Sequence, residues 1–207
     1  MAQLFNIHPD NPNTRLVRQA VAMLRDGAVI VYPTDSGYAL GCHLDDKDAV
    51  TRIRQIRGLD EQHHMTLVCR DLSELSTYAR VNNVQFRLLK NNTPGAYTFI
   101  LQATKEVPRR LQHPKRSTVG VRIPDHPVAL ALLEELGEPL LSTTLILPDM
   151  PYPLTDVEEI REQLERSVDL VIEGGTVGLE PTTVIDLSGD APQLVRAGRG
   201  DSAPFGV

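Results

Sequence analysis

A chain of 207 residues is long enough to bury a single core without splitting into domains, and no window approaches the roughly 20 apolar residues that span a bilayer. The first ten residues lack the basic-then-apolar pattern of a signal peptide, so one cytoplasmic domain over residues 1–207, with no membrane partner, is expected. The net charge of −6 is uneven: nine Lys or Arg stand between Arg80 and Arg122 against Glu106 alone, and eleven acids stand between Glu134 and Glu173 against Arg161 and Arg166.

Asn13 or Thr14 can cap a helix whose apolar positions Leu16, Val17, Ala20, Val21 and Leu24 recur at helical spacing, with Gly27 stopping it. Ala28 to Tyr32 reads as a buried strand closed by Pro33. Asp45 and Asp46 begin a second helix, with Ala49, Val50, Ile53 and Ile56 on one face and Gly58 beyond its end. Met65 to Cys69 is a short strand, and Asp71 to Tyr78 is helical with Ser73 as candidate cap. Val84 to Lys90 is helical, Pro94-Gly95 turns the chain, and Tyr97 to Ala103 and Val119 to Ile123 are strands. A helix follows from Pro127 through Leu136, ended by Gly137; Pro139 to Leu147 is strand-like or a buried loop. Asp156 to Arg166 is an acidic amphipathic helix on Val157, Ile160 and Leu164. Leu170 to Ile172, Thr183 to Leu187 and Gln193 to Arg196 are strands, the first two separated by a Gly-rich turn. Interspersed helices and strands predict a mixed α+β (α/β) fold, a twisted open mixed sheet with helices packed on it.

The charge asymmetry points to one anion-attracting face, or to two solvated faces placed apart. Cys42 and Cys69 lie 27 residues apart with no histidine or cysteine at metal-ligand spacing, and are expected to be reduced, structural thiols. The adjacent His63-His64 pair likewise lacks ligand spacing, so no metal site built from protein groups is expected.

Four segments carry candidate chemistry. Tyr32-Pro33-Thr34-Asp35-Ser36-Gly37-Tyr38-Ala39-Leu40-Gly41 follows a buried strand, where open sheets place ligands; it also reads as a Pro-initiated turn with locally satisfied hydroxyls. Pro94-Gly95-Ala96-Tyr97-Thr98 is a turn feeding a strand. Val119-Gly120-Val121-Arg122-Ile123-Pro124 embeds an arginine in a strand, so Arg122 either pairs with a core carboxylate or faces a cleft; His126 reads as a residue at the start of the next helix. Pro181-Thr182-Thr183-Val184-Ile185-Asp186, with Arg196 after it, offers hydroxyls for phosphate or simply good strand formers.

These four segments, in this order from Val31 to about Arg199, resemble the YrdC-like family of threonylcarbamoyl-adenylate synthases, and within it the YciO branch. The resemblance implies a concave, positively charged groove that holds L-threonine, bicarbonate and ATP and forms threonylcarbamoyl-AMP with release of pyrophosphate, for later modification of the adenosine next to a tRNA anticodon. It implies no tightly bound cofactor, with Mg²⁺ travelling on the ATP substrate, and a link to double-stranded RNA or tRNA binding. Carried onto this chain, the ligand-binding positions are Thr34, Tyr38, Arg57, Thr98, Arg122, Thr144, Thr182 and Arg196; no catalytic residue is singled out.

Two parts of the family's pattern are broken. Where it has Lys-x-Arg-Pro, this chain has Arg57-Gly58-Leu59-Asp60, keeping a cation at the first position and losing the second. Where it has Thr-Ser-Ala-Asn, this chain has Thr143-Thr144-Leu145-Ile146, and Ile146 offers no donor. The expectation is a nucleotide- or RNA-binding protein with weak or altered synthase chemistry, or an RNA-binding module without turnover. Arg109, Arg110, Lys115 and Arg116 are the candidate RNA contacts, expected near the rim of the groove. With no Trp and little aromatic interleaving, shape-based duplex or tRNA binding suits the chain better than stacking on single strands.

Overall fold

The computed structural model describes residues 1–60, 63 and 65–207. In chain order its elements are β1 (Gln3–Asn6), α1 (Thr14–Arg25), β2 (Ile30–Thr34), β3 (Gly37–His43), α2 (Lys47–Arg57), β4 (Thr66–Val68), α3 (Leu72–Tyr78), α4 (Asn83–Asn92), β5 (Tyr97–Gln102), β6 (Thr118–Arg122), α5 (Pro127–Leu136), β7 (Leu140–Thr144), α6 (Val157–Leu164), β8 (Leu170–Glu173), β9 (Thr183–Asp186) and β10 (Gln193–Arg196), with short 3₁₀ turns at Arg109–Leu111 and Ala203–Phe205. The strands form one mixed, twisted sheet in the order β1-β8-β2-β3-β7-β4-β6-β5-β9-β10. Among the described residues, no helix is long and apolar enough to cross a membrane.

Helix starts follow from side-chain oxygens that satisfy the first free N–H groups. Asn13, Asp46, Asp71 and Asp156 each accept from the backbone of the turn that follows, and Asn82 with Gln85 forms a reciprocal capping box. The third helix is therefore capped by Asp71 and not by Ser73, because Asp71 stands just outside the first turn and reaches the Glu74 N–H at 2.8 Å.

Three readings of the chain change. Strand β2 does not close at Pro33 but runs through it to Thr34. Its parallel neighbour β8 pairs only at Ile30 and Val31, so no ladder partner on that side asks for the N–H that proline lacks. The segment after Thr34 is not a long loop: Asp35 and Ser36 make a tight turn into β3, whose register sets Thr34 opposite Gly37 and Val31 opposite Leu40. Gly37 takes φ +138° at that turn, a conformation L side chains rarely adopt. Finally, β8 and β9 are not neighbours; the Gly-rich stretch between them carries the chain from one side of the sheet to the other. Strand β1, parallel to β8 at the edge, adds an element that the apolar pattern does not mark.

The two faces of the sheet are covered unequally. On one face, apolar residues of α2, α3, α4 and α6 pack over β2, β3, β4, β5, β6, β7, β8 and β9 in a continuous core. On the other, α1 and α5 bury Val17, Ala20, Val21, Leu24, Val128, Ala129, Leu132 and Leu133 against Ile30, Tyr32, Ala39, Val68, Leu140, Leu170 and Ile172. That second core takes nothing from β5, β6, β9 or β10, so this half of the face is left without a helix above it.

Candidate binding cavity

The uncovered half of the sheet is the floor of a cavity of about 350 Å³. Its chemistry follows from strand alternation, since successive side chains point to opposite faces. Phe99 and Val121 lie in the helix-covered core, while their neighbours Thr98, Ile100, Gly120 and Arg122 line the cavity. Leu67 and Ile185 are core in the same way, with Thr66, Val68 and Val184 on the open side. Ser142 and Thr144 of β7 complete a floor rich in hydroxyls, where a helix-covered face would carry leucine or valine.

The β2–β3 hairpin makes one wall. Thr34 Oγ1 donates to the Gly37 carbonyl at 2.7 Å and accepts the Ser36 N–H at 3.2 Å, which sets the turn. The turn holds Arg122, 7% exposed: its guanidinium pairs with the Asp35 carboxylate and donates to Ser36 Oγ at 2.9 Å, while its Nε has no partner among the described residues. The two readings of Arg122 from the chain are therefore both met, a carboxylate pair at a cavity wall. Removing Asp35 would leave a buried charge uncompensated, a cost of about 3–5 kcal/mol. Beneath the hairpin, Ser142 Oγ donates to the Leu40 carbonyl at 2.8 Å, so the Tyr32 hydroxyl donates to Ser142, also at 2.8 Å. Burial pushes the Tyr32 phenol up to about 12, which keeps it a donor. Tyr38 is buried as well; its hydroxyl donates to the Gly175 carbonyl at 3.4 Å, and burial raises its pKa. It separates the cavity from a second, acidic hollow lined by Asp156, Glu158 and Glu173.

Two further arginines close the other sides. Arg57, at the last turn of α2, donates to the Ile146 carbonyl; its Nε is buried without a partner among the described residues, and loss of water lowers its pKa. Arg196 on β10 donates to the Thr182 carbonyl at 2.9 Å and to its Oγ1 at 3.2 Å, and partial burial lowers its pKa too. Thr182 and Thr98 share a hydroxyl–hydroxyl bond of 2.9 Å across β9 and β5. Guanidiniums with donor capacity to spare, partly removed from water, favour an anion with several oxygens, above all phosphate or carboxylate.

All eight residues singled out from the sequence, Thr34, Tyr38, Arg57, Thr98, Arg122, Thr144, Thr182 and Arg196, line this one cavity. The basic segment is placed otherwise. Arg109, Arg110, Lys115 and Arg116 are exposed and none lines the cavity. In the register of β5 and β6, Phe99 stands opposite Val121 and Gln102 opposite Thr118, so the connection bearing these cations leaves the end of the pair remote from Thr98 and Arg122. Arg116 is paired there with Asp186 at 3.1 Å, and Arg110 donates to the Leu44 carbonyl at 2.8 Å. The expectation that these cations sit at the rim is corrected on that geometry. His126 caps α5 through its Nδ1, as its position suggests.

Sequence reasoning passed over Thr66 and Ser142 and considered His63 only as an unsuitable metal ligand; all three line the cavity. A lone hydroxyl at Thr66 in an otherwise apolar strand, and the Ser142-Thr143-Thr144 run after two leucines, carried a signal, whereas His63 had none in its neighbours. His64, the other half of the pair judged unsuited to metal, lies outside the described residues. Among the described residues, no three His, Cys, Asp or Glu side chains gather as a metal site.

Comparison with known proteins accords with the order of these segments. The sequence pattern of the Sua5/YciO/YrdC family, described as telomere recombination, matches residues 22–198. Over 205 residues the chain is 62% identical to YciO of Escherichia coli, a match covering 99% of this chain and 100% of that one. The crystal structure of E. coli YciO matches with a TM-score of 0.96. Threonylcarbamoyl-AMP synthase of Halorhodospira halophila is 34% identical over 179 residues, 84% of this chain and 93% of the relative. The structure of P. abyssi Sua5 complexed with L-threonine matches at 27% identity with a TM-score of 0.86, over 94% of this chain and 57% of that one.

Proposed function

The chain belongs to the Sua5/YciO/YrdC family, and from that premise we propose that its cavity binds a nucleotide by its phosphates beside the carboxylate of a small amino acid such as L-threonine. The observation that carries this reading is the convergence of Arg57, Arg122 and Arg196 on one hydroxyl-floored cavity. P. abyssi Sua5 is complexed with L-threonine, and relatives are threonylcarbamoyl-AMP synthases. Any Mg²⁺ arrives on the triphosphate.

Synthase chemistry is weak in this reading. Arg57 spends one N–H on the Ile146 carbonyl, and the isoleucine side chain adds no donor beside it. Synthesis requires donors that strengthen as charge moves onto leaving pyrophosphate, and this end of the cavity has fewer than the family's pattern supplies. Calorimetric titration with ATP tests the binding reading. Arg57→Ala is expected to weaken ATP about tenfold or more, the value of one charged hydrogen bond, while joint neutralisation of Arg109, Arg110, Lys115 and Arg116 leaves it within about twofold. The reverse pattern would overturn the assignment to the cavity. Pyrophosphate release from threonine, bicarbonate and ATP should be slow yet above that of the Arg122→Ala variant.

RNA contact is a second reading, favoured by four exposed cations on one short segment. It belongs to a different surface from the cavity. Duplex RNA affinity should fall with rising salt, and the slope should shrink when the four cations are neutralised.

A further inference from the structure

The lining of the cavity carries a group with no role in the reading so far. His63 lines it together with Arg57 and Arg196, its backbone N–H held by Asp60 Oδ1 at 2.9 Å. Resting on the nucleotide reading above, the geometry points to His63 as a further anion-binding residue of the cavity, one that takes up a proton when a phosphate-bearing ligand binds.

The charge balance around the ring gives the sign. The charged groups facing His63 among the described residues are Arg54 and Arg57 of α2, Asp60 beyond its end, and Arg196 of β10. Loss of water and the three arginines hold the imidazole below its ordinary value of 6.5; Asp60 pulls the other way and is outweighed. The ring is therefore neutral near pH 7 in the empty cavity, and the cavity is spared a further positive charge while no anion is present. A bound phosphate chain reverses the local field, because an opposite charge within about 4–6 Å raises a histidine pKa by about 1–3 units. A pKa raised on binding means that the complex holds more proton than the free protein. By linkage, affinity then rises as pH falls, by up to about tenfold per pH unit between the free and bound values.

ATP is the probe for the test. Proton uptake is read by calorimetry at about pH 6.5, near the ordinary histidine value, in two buffers of different ionisation heat, for the natural protein and for His63→Gln. ATP titrates its own terminal phosphate in this range, and the difference between the two proteins cancels that contribution. The natural protein is expected to take up about half a proton more per ATP bound than the variant, and the variant's affinity should depend less on pH. In the natural protein, the His63 ring followed by nitrogen-detected NMR should titrate at higher pH with ATP than without, a measurement independent of how the variant folds. Equal proton uptake in the two proteins, or an unmoved His63 titration in the presence of bound ATP, overturns the inference and leaves the cavity reading standing. Absence of ATP binding by the natural protein overturns both.

Discussion

Arg57 and Ile146 touch, so two positions at which the chain differs from the family's pattern are neighbours in space although they lie far apart in the chain. Leu59 is the third. It is half-buried one residue beyond the αL glycine that ends α2, and its side chain does not line the cavity. An arginine at that position restores the cation of the family's pattern, and an asparagine at 146 supplies an amide donor where the cavity now has a hydrocarbon. The double variant Leu59→Arg with Ile146→Asn is expected to raise pyrophosphate release from threonine, bicarbonate and ATP by about tenfold or more, one charged hydrogen bond's worth, with each single change contributing less. An unchanged rate would show that these two positions do not limit synthase chemistry.

At the scale of elements, Gly198 shows how tightly the last strands are laid on the floor. A Cβ there would lie 2.3 Å from the Pro181 carbonyl oxygen and 2.7 Å from the Thr182 carbonyl carbon, backbone atoms that cannot swing aside. That close approach holds Thr182 where it meets Thr98 and Arg196. Gly198→Ala should lower stability by about 1–3 kcal/mol in urea denaturation and weaken ATP in the same preparation. Gly189→Ala, where a Cβ meets nothing within 4 Å, serves as the control and should stay within about 0.5 kcal/mol. Helices were the most legible elements, because Asn13, Asp46 and Asp156 announce their first turns by chemistry that needs no tertiary partner. Strand β3 was not legible: Gly37, Ala39 and Gly41 break its apolar alternation, and Gly41 is small because the Tyr32 ring lies over it, a Cβ there falling 2.8 Å from that ring. That requirement is tertiary. The cavity residues were found through the order of four motifs, and what assembled them is sheet order, which local spacing does not encode.

On the scale of the whole molecule, charge along the chain proved a poor guide to charge in space. A run of cations between β5 and β6 lies beyond one end of the strand pair, and the cavity takes its arginines from α2, β6 and β10, three elements scattered through the sequence. The core carries its own titratable groups. Burial pushes the Cys42 thiol up to about 12 and the Cys69 thiol well above its ordinary 9.0, so in both cases the folded form holds its proton when the unfolded form has lost it. The stability these groups confer is complete below about pH 9 and is lost as pH rises toward the folded values. Each can add up to about 1.4 kcal/mol of loss per pH unit, and Cys42→Ala should remove one such share from the slope of urea-denaturation free energy between about pH 9 and 10. An unaltered slope would show that the thiol ionises freely in the folded protein. The turn between β2 and β3 has a longer reach in sequence than any of these: Arg199 donates to the carbonyl of Asp35, 164 positions earlier. A nascent chain displays the hairpin, and later Arg122, well before Thr182, Arg196 and Arg199 have left the ribosome. The set of residues that lines the cavity is therefore complete only in molecules whose synthesis has passed the tenth strand.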